Sequence, residues 1–355
     1  MIEVVPLTDV QDACYPDLDS SHLPYCYEKS WINMFRQVFP YELKGYGLRV
    51  HGELIGSFIY VVMKSRFWGN RIISLPFSDE GGIVLRDFGK LTPSLKRRLY
   101  DLVCQRIDQE ALSCRAGYAE IRGDESLFAE IEEDPFIIKR KAYVKFILSI
   151  SSPYNDIRKG FHSNIINNLK KADRCIDVRE CLSGDELEEV YKIYLIEMRR
   201  LGGLPLPVSY FEILCRQKTA KIFLAVMGGK VVGFLMVLLV RQRILADINA
   251  SLPSVRTFFP KMRLYDAAIR WGCDNGFLFF DFMRTRSNSG LYWHKKKWGG
   301  QETPIFYYTR LYDKRVNYIL DADQKRFHLA RLLIRQMPLC LFKNIGIPVR
   351  LGLGK

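Results

Sequence analysis

Leu48-Arg49-Val50-His51-Gly52-Glu53-Leu54-Ile55-Gly56-Ser57 and Leu224-Ala225-Val226-Met227-Gly228-Gly229-Lys230-Val231-Val232-Gly233-Phe234 share one pattern: an apolar run, a glycine turn, then a second apolar run. Gly52 and the Gly228-Gly229 pair read as hairpin turns between strands. Each stretch runs on to a Ser-Leu-Pro, at 74–76 and 251–253, so the offset is 176 (48 to 224) to 177 (76 to 253). Beyond each comes a helical segment carrying Leu-Tyr-Asp, at Leu99-Tyr100-Asp101 and Leu264-Tyr265-Asp266. A glycine follows, Gly117 or Gly276, then strand-like runs at Tyr118 to Ile121 and Phe277 to Phe282, and last runs at Tyr143 to Ile150 and Ile305 to Leu311. The order describes a duplicated α+β unit, a mixed sheet flanked by helices. The expected organisation is a first domain at 1–151, a second carrying the main site at 152–318, and a tail at 319–355.

Helices fill the remaining places. Trp31, Phe35, Val38 and Phe39 fall on one helical face. Further helices are expected at Ser94 to Leu112, His162 to Arg174, Ser183 to Leu201 with Ser183 and Glu186 spaced as a capping box, and Ser209 to Cys215. Glu53 to Ser65 and Arg71 to Leu75 read as strands.

At 355 residues, with 48% hydrophobic and 13% aromatic side chains, each unit can bury its own core, and a disordered chain is excluded. The net charge of +14 and pI near 9.3 favour an anionic partner: nucleic acid, a phosphorylated substrate or an acidic membrane surface. Nine cysteines without a C-x-x-C read as reduced core thiols. The first residues lack a basic segment followed by an apolar one, and the longest apolar run, Val231 to Val240, is broken by Gly233. The expected location is the cytoplasm. No nucleotide-binding glycine loop, nucleophile elbow or paired-histidine motif is present, the histidines lie apart, and neither metal nor cofactor is expected.

The richest segment runs from Phe279 to Gly299. An apolar strand delivers Asp281 and Arg284 at its end, followed by a loop containing Gly290 and the run Lys295-Lys296-Lys297-Trp298-Gly299. Arginine gives a planar bidentate contact and lysine a point charge, which suits a phosphate. The competing reading is an Asp281–Arg284 pair fixing a turn beside solvated lysines. From Gln324 to Lys355 there is no Asp or Glu, but there are Lys325, Arg326, Arg331, Arg335, Lys343, Arg350 and Lys355, with Phe327, Ala330, Ile334, Met337 and Leu341 at helical spacing. Such a tail suits an anionic membrane, here the inner face, or packs on the preceding domain with a solvated basic face.

The duplicated order resembles the GNAT acyltransferase fold and, in tandem, the FemAB family of peptidyl and aminoacyl transferases. The resemblance rests on Phe280-Asp281-Phe282-Met283-Arg284-Thr285 against the family's F-D-F-G-R-S, on Gly290, and on His294 to Gly299 against F-K-K-x-W-G. It rests also on Asn167 to Ala172, on Leu75 to Gly82 against L-P-x-x-D-x-G-G, and on a tail similar to the exosortase/PEP-CTERM-associated, exopolysaccharide-linked subgroup. Met283 stands where the family has glycine, and His294 where it has phenylalanine. The resemblance implies amide formation on an amine of a peptidoglycan or exopolysaccharide precursor, nucleotide- or lipid-linked, with aminoacyl-tRNA as the donor of the family. It implies Asp281, Arg284, Lys295, Lys296, Trp298, Lys170, Lys171, Arg263 and Tyr265 for substrate, with a phosphate on the cations, Asp281 orienting Arg284 and Trp298 walling the pocket. Asp79 or Glu80 would take the amine proton. Phe258 to Arg263 lacks the glycines of a coenzyme A pyrophosphate loop, which argues against acetyl-CoA. Ile157 to Leu201 lacks the long helical arm associated with tRNA. The alternative is a non-catalytic binding protein of the same fold docked at a membrane-associated assembly.

Overall fold

The computed structural model describes residues 2–13, 23–66, 68–86, 88–123, 134, 137–316, 318 and 327–354. Cys14, His22, Lys325, Arg326 and Lys355 lie outside them. Two compact units form: unit 1 takes Met1–Ala142, Pro304–Leu320 and Leu351–Lys355, and unit 2 takes Tyr143–Thr303 and Asp321–Arg350. These are not the two halves of the sequence. Each unit takes its last strand from the other half, and the tail is divided instead of forming a third body.

Unit 1 is built from β1 (Ile2–Pro6), α1 (Lys29–Val38), β2 (Leu43–Val50), β3 (Glu53–Met63), β4 (Arg71–Ile73), β5 (Val84–Leu85), α2 (Pro93–Cys114) and β6 (Tyr118–Arg122). Strands β1 to β4 pair antiparallel in order, and β4 then runs parallel to β6. Helix α2 starts on Thr92, whose side chain accepts the Leu95 N–H, with Pro93 at its first position. It buries Leu99, Tyr100, Val103, Ile107 and Ala111 against the sheet.

Unit 2 begins with Tyr143–Ser149 of β7 (Ile137–Ser149), followed by α3 (Tyr154–Lys159), α4 (Ser163–Ala172), β8 (Asp177–Glu180), α5 (Gly184–Leu201) and α6 (Val208–Arg216). Then come β9 (Ala220–Met227), β10 (Lys230–Val240), β11 (Arg243–Ser251), α7 (Pro260–Asp274), β12 (Phe279–Asp281) and α8 (Gly290–Lys296). Strands β8 to β11 are an antiparallel meander, β11 runs parallel to β12, and β12 pairs antiparallel with β7. The expected capping is present on α5: Ser183 Oγ accepts the Glu186 N–H, and Glu186 Oε2 reaches back to the Leu182 N–H at 2.7 Å.

The last strand, β13 (Gln301–Leu311), pairs antiparallel with β6, so unit 1 repeats unit 2 strand for strand. Arg310 holds it to α2 through two bonds to Asp108, 2.6 and 2.7 Å. Helices α9 (His328–Gln336) and α10 (Leu339–Leu353) follow.

The duplication is real in the hydrogen-bond register, but the two Ser-Leu-Pro tripeptides are not equivalent. Gly233 faces Ser251, whereas Gly56, its counterpart at an offset of 177 (56 to 233), faces Leu85. In unit 1 the strand answering to β11 is split into β4 and β5. The chain between them leaves the sheet, carrying Asp79 and Glu80.

Candidate functional site

In unit 2 the parallel pair β11 and β12 holds register for only three residues, Arg243–Leu245 against Phe279–Asp281. Beyond them β11 continues to Ser251, while β12 ends. The β10–β11 register also shifts between Met236, facing Ile248, and Val237, facing Ala246, leaving Asp247 as the extra residue of a bulge. Diverging parallel strands leave backbone groups of β11 facing outward at a sheet's carboxyl end, where α/β sheets bind ligands.

Polar side chains gather along that end of β11. Tyr210 on α6 donates to Asp247 at 2.8 Å. Asn249 donates to the Lys261 carbonyl at 3.2 Å in the first turn of α7. Tyr265, one turn further along α7, packs against Phe280, Phe282, His294 and Trp298. Burial pushes its phenol up to about 12, although a hydrogen bond from Asn249 works the other way. The ring therefore stays protonated at neutral pH. Burial, with Lys295, Lys297 and Lys261 adding repulsion, lowers His294 to about 4 and keeps it neutral.

The first turn of α7 is strongly charged. Phe259 takes a left-handed φ of 57° just before Pro260, the conformation a glycine would adopt without strain. Lys261 bonds Glu197 at 2.6 Å, and Arg200 grips the same carboxylate at 2.7 and 3.1 Å. Burial raises the Glu197 carboxyl, but these cations prevail and hold it at about 2. Arg263 lies 2.9 Å from Asp173 and 3.3 Å from Asp266. Asp266 also accepts from the Tyr154 hydroxyl. Arg263 is thus committed to two carboxylates, which makes it a poor first choice for a phosphate. Lys170 and Lys171, at the end of α4, are exposed, and Lys171 Nζ lies 6.0 Å from the Phe259 ring.

The segment after β12 is a built turn. Asp281, 3% exposed, accepts the Met283 N–H at 2.7 Å, and Met283 adopts a left-handed φ of 57°. A glycine would adopt this conformation without strain. Lys295, 4% exposed, donates to the carbonyls of Phe282, Met283 and Arg284 at 2.5, 3.0 and 3.2 Å. Its ammonium organises the turn from within, at the position where a phosphate ligand was expected. Trp298 is fully buried among Phe161, Tyr265 and Phe282, packed in the core of unit 2. Arg284 stacks on Tyr143 at 5.1 Å. Lys296 is exposed beside Tyr292 and Trp293.

Asp79 and Glu80 lie in unit 1. Asp79 is 8% exposed, with its N–H on the Tyr25 hydroxyl at 3.1 Å. The Glu80 carbonyl accepts from Cys26 Sγ at 3.0 Å and from Ser78 Oγ. Nearby, Arg122 pairs with Glu120 at 2.9 Å, both side chains at most 1% exposed, and also donates to the Gly354 carbonyl at 3.2 Å. Arg71, equally buried, donates to the Gly352 carbonyl at 2.5 Å. The Leu351–Gly354 segment is thereby locked onto unit 1. A separate cavity of about 560 Å³ in unit 1 is lined by two ion pairs, Arg36 with Asp9 and Lys44 with Glu110, and by Glu42. Among the described residues no group of His, Cys, Asp and Glu could hold a metal ion.

Sequence reasoning missed Asp247, Asn249, Glu197, Lys261 and Tyr210. Asp247 becomes conspicuous only through a bulge, and Glu197 and Lys261 meet across 64 residues. Tyr265 came into the sequence reading of the site only among the residues that the family resemblance implies.

A family model described as "Acetyltransferase (GNAT) domain" matches residues 159–296. The fold is similar to the crystal structure of FemX, at 13% identity and a TM-score of 0.58, covering 86% of this chain and 96% of that one. A conserved protein of unknown function from Bacteroides thetaiotaomicron scores 0.54 at 11% identity, covering 85% and 95%. A tandem GNAT protein from the clavulanic acid biosynthesis pathway scores 0.51 at 12% identity, covering 88% and 98%. No curated protein matches the sequence. The meander, the diverging parallel pair and the helix between them, repeated in both units, are the GNAT fold in an α+β chain.

Proposed function

We propose that the chain is an acyl- or aminoacyl-transferase that forms an amide on an amine of a cell-envelope precursor, with its chemistry in unit 2. The observation that carries this reading is the three-residue parallel pairing of β11 with β12, after which β11 bulges at Asp247 and presents Asp247 and Asn249. The match to FemX supports the class of reaction through the fold.

In the proposed reaction the neutral amine attacks the donor's acyl carbonyl. A C–N bond forms, the bond to the donor's leaving oxygen breaks, and the amine proton passes to the Asp247 carboxylate. The Tyr265 hydroxyl protonates the leaving oxygen, a task for which a pKa near 12 keeps it loaded. Outward N–H groups of β11 would stabilise the oxyanion. We assign the base to Asp247 in preference to Asp79 and Glu80, which belong to unit 1.

The exposed ammonium groups of Lys170, Lys171 and Lys296 suit a nucleotide- or lipid-linked phosphate better than the internally committed Lys295 and Arg263 do. Phe258 and Phe259 stand where a pyrophosphate needs close backbone approach, which argues against acetyl-CoA; aminoacyl-tRNA, the donor of the family that the chain resembles, is the first donor to test, here without the long helical arm associated with tRNA. The test is to offer the purified protein each donor with an amine-bearing envelope precursor and read products by mass spectrometry. An aminoacyl amide supports the proposal, and an acetyl amide alone would overturn the choice of donor.

A further inference from the structure

The tail helices place large apolar side chains in water. Leu329, Leu332 and Leu333 of α9 are 73%, 38% and 62% exposed, and Leu341, Ile345 and Val349 of α10 are 45%, 44% and 40% exposed. Spacings of three and four put each trio on one face of its helix. Among the described residues the other exposed large apolar side chains, such as Leu112, Leu182, Leu201 and Leu291, are scattered along the sequence, whereas these six fall within 21 residues (329 to 349) and form a concentration.

The opposite faces are the ones that pack. Arg331 donates to the Leu201 carbonyl at 3.5 Å, and Arg199 donates to the Met337 carbonyl at 2.9 Å, seating α9 on the end of α5. On α10, Phe342 is fully buried, Gly346 lies so close to Pro205 that a Cβ would stand 2.6 Å from its ring, and Arg350 donates to the Leu204 carbonyl at 2.6 Å. Both helices therefore dock at the same end of α5, with fixed inner faces and apolar outer ones. The sequence allowed a packed tail with a solvated basic face. The packing is there, but the face left to solvent is largely apolar.

The charge along these two helices has one sign. From His328 to Gly354 there is no acidic residue, and Arg335 is exposed, while the Lys343 ammonium turns to the packed side, 5.6 Å from the Tyr191 ring. Long basic side chains can lie along an apolar surface and keep their charge at its rim. We infer that the outer faces of α9 and α10 form a docking surface for an anionic lipid bilayer, leucine, isoleucine and valine entering the acyl boundary while Arg335 meets the headgroups. No helix among the described residues is long and apolar enough to cross a membrane, so the contact is one of lying on the surface. The inference is independent of the transferase reading.

Co-sedimentation of the full chain with vesicles tests it. Vesicles of phosphatidylcholine mixed with phosphatidylglycerol should pellet the protein, and those of phosphatidylcholine alone should pellet it on the order of tenfold less. Leu333→Asp with Ile345→Asp should abolish pelleting, and Arg335→Glu should weaken it on the order of tenfold. All three positions are solvent-exposed, so the variants should keep the wild-type melting profile, which circular dichroism checks. Equal pelleting of the Leu333→Asp, Ile345→Asp variant would overturn the inference. So would a wild-type chain that binds neither vesicle, or one whose sedimentation velocity shows a dimer that the same double substitution dissociates, since a second copy would then cover the face.

Discussion

The Asp281 carboxylate takes the backbone N–H of Met283 at 2.7 Å, and this bond fixes the left-handed turn at the end of β12. Lys295 completes the turn by donating to the three carbonyls around it. The D-x-M-R and K-x-x-W-G elements are thus one folded object, and their spacing has a structural cause.

Replacing Lys295 with alanine should therefore act on stability. Three buried carbonyls lose their donor together, at a cost of about 1–3 kcal/mol for each group left unsatisfied, reduced where water enters. Urea denaturation should show a midpoint well below wild type. An unchanged midpoint would return Lys295 to the list of ligand-binding cations.

His294 should titrate far below an ordinary imidazole. Its folded-state value of about 4 lies under the usual 6.5, because burial disfavours the charged form and the neighbouring lysines repel it. Its contribution to stability is complete above about 6.5 and is lost as the pH falls from there through about 4. Imidazole proton shifts followed by NMR should place His294 in the neutral form at pH 5.5, and His294→Asn should flatten the stability curve between pH 4 and 6.5. A midpoint near 6.5 would contradict the burial of this ring.

Arg122 is the partner of a carboxylate that has almost no access to water. Arg122→Met should cost about 3–5 kcal/mol, since Glu120 would be left buried without its cation. Adding Glu120→Gln should recover part of that loss, because the uncompensated charge is then removed. Chemical denaturation of the single and double variants reads both effects, and equal stability of the two would contradict an uncompensated charge on Glu120 as the source of the loss.

The repeated hairpins at Gly52 and Gly228-Gly229, the Leu-Tyr-Asp helices and the capping of α5 were all legible in the sequence, because turn chemistry and apolar spacing are local. The exchange of β7 and β13 between units was not, since strand partners are chosen by long-range pairing that no periodicity reports. Ser-Leu-Pro misled for the same reason: Ser74 and Ser251 read alike, but Gly56 pairs with Leu85 while Gly233 pairs with Ser251. At the site, Tyr265 entered only through the family resemblance. Asp247 could not be found, because its prominence comes from one bulged residue in β11.

The most direct test of the account is single-turnover transfer of a labelled aminoacyl group to an amine-bearing envelope precursor, compared between wild type and Tyr265→Phe. The account predicts amide formation by wild type and a rate about 100-fold lower in the variant, the order expected for losing a positioned proton donor, with substrate affinity and urea midpoint little changed. A Tyr265→Phe protein that forms the amide at the wild-type rate would contradict the assignment of the chemistry to the diverging strands of unit 2.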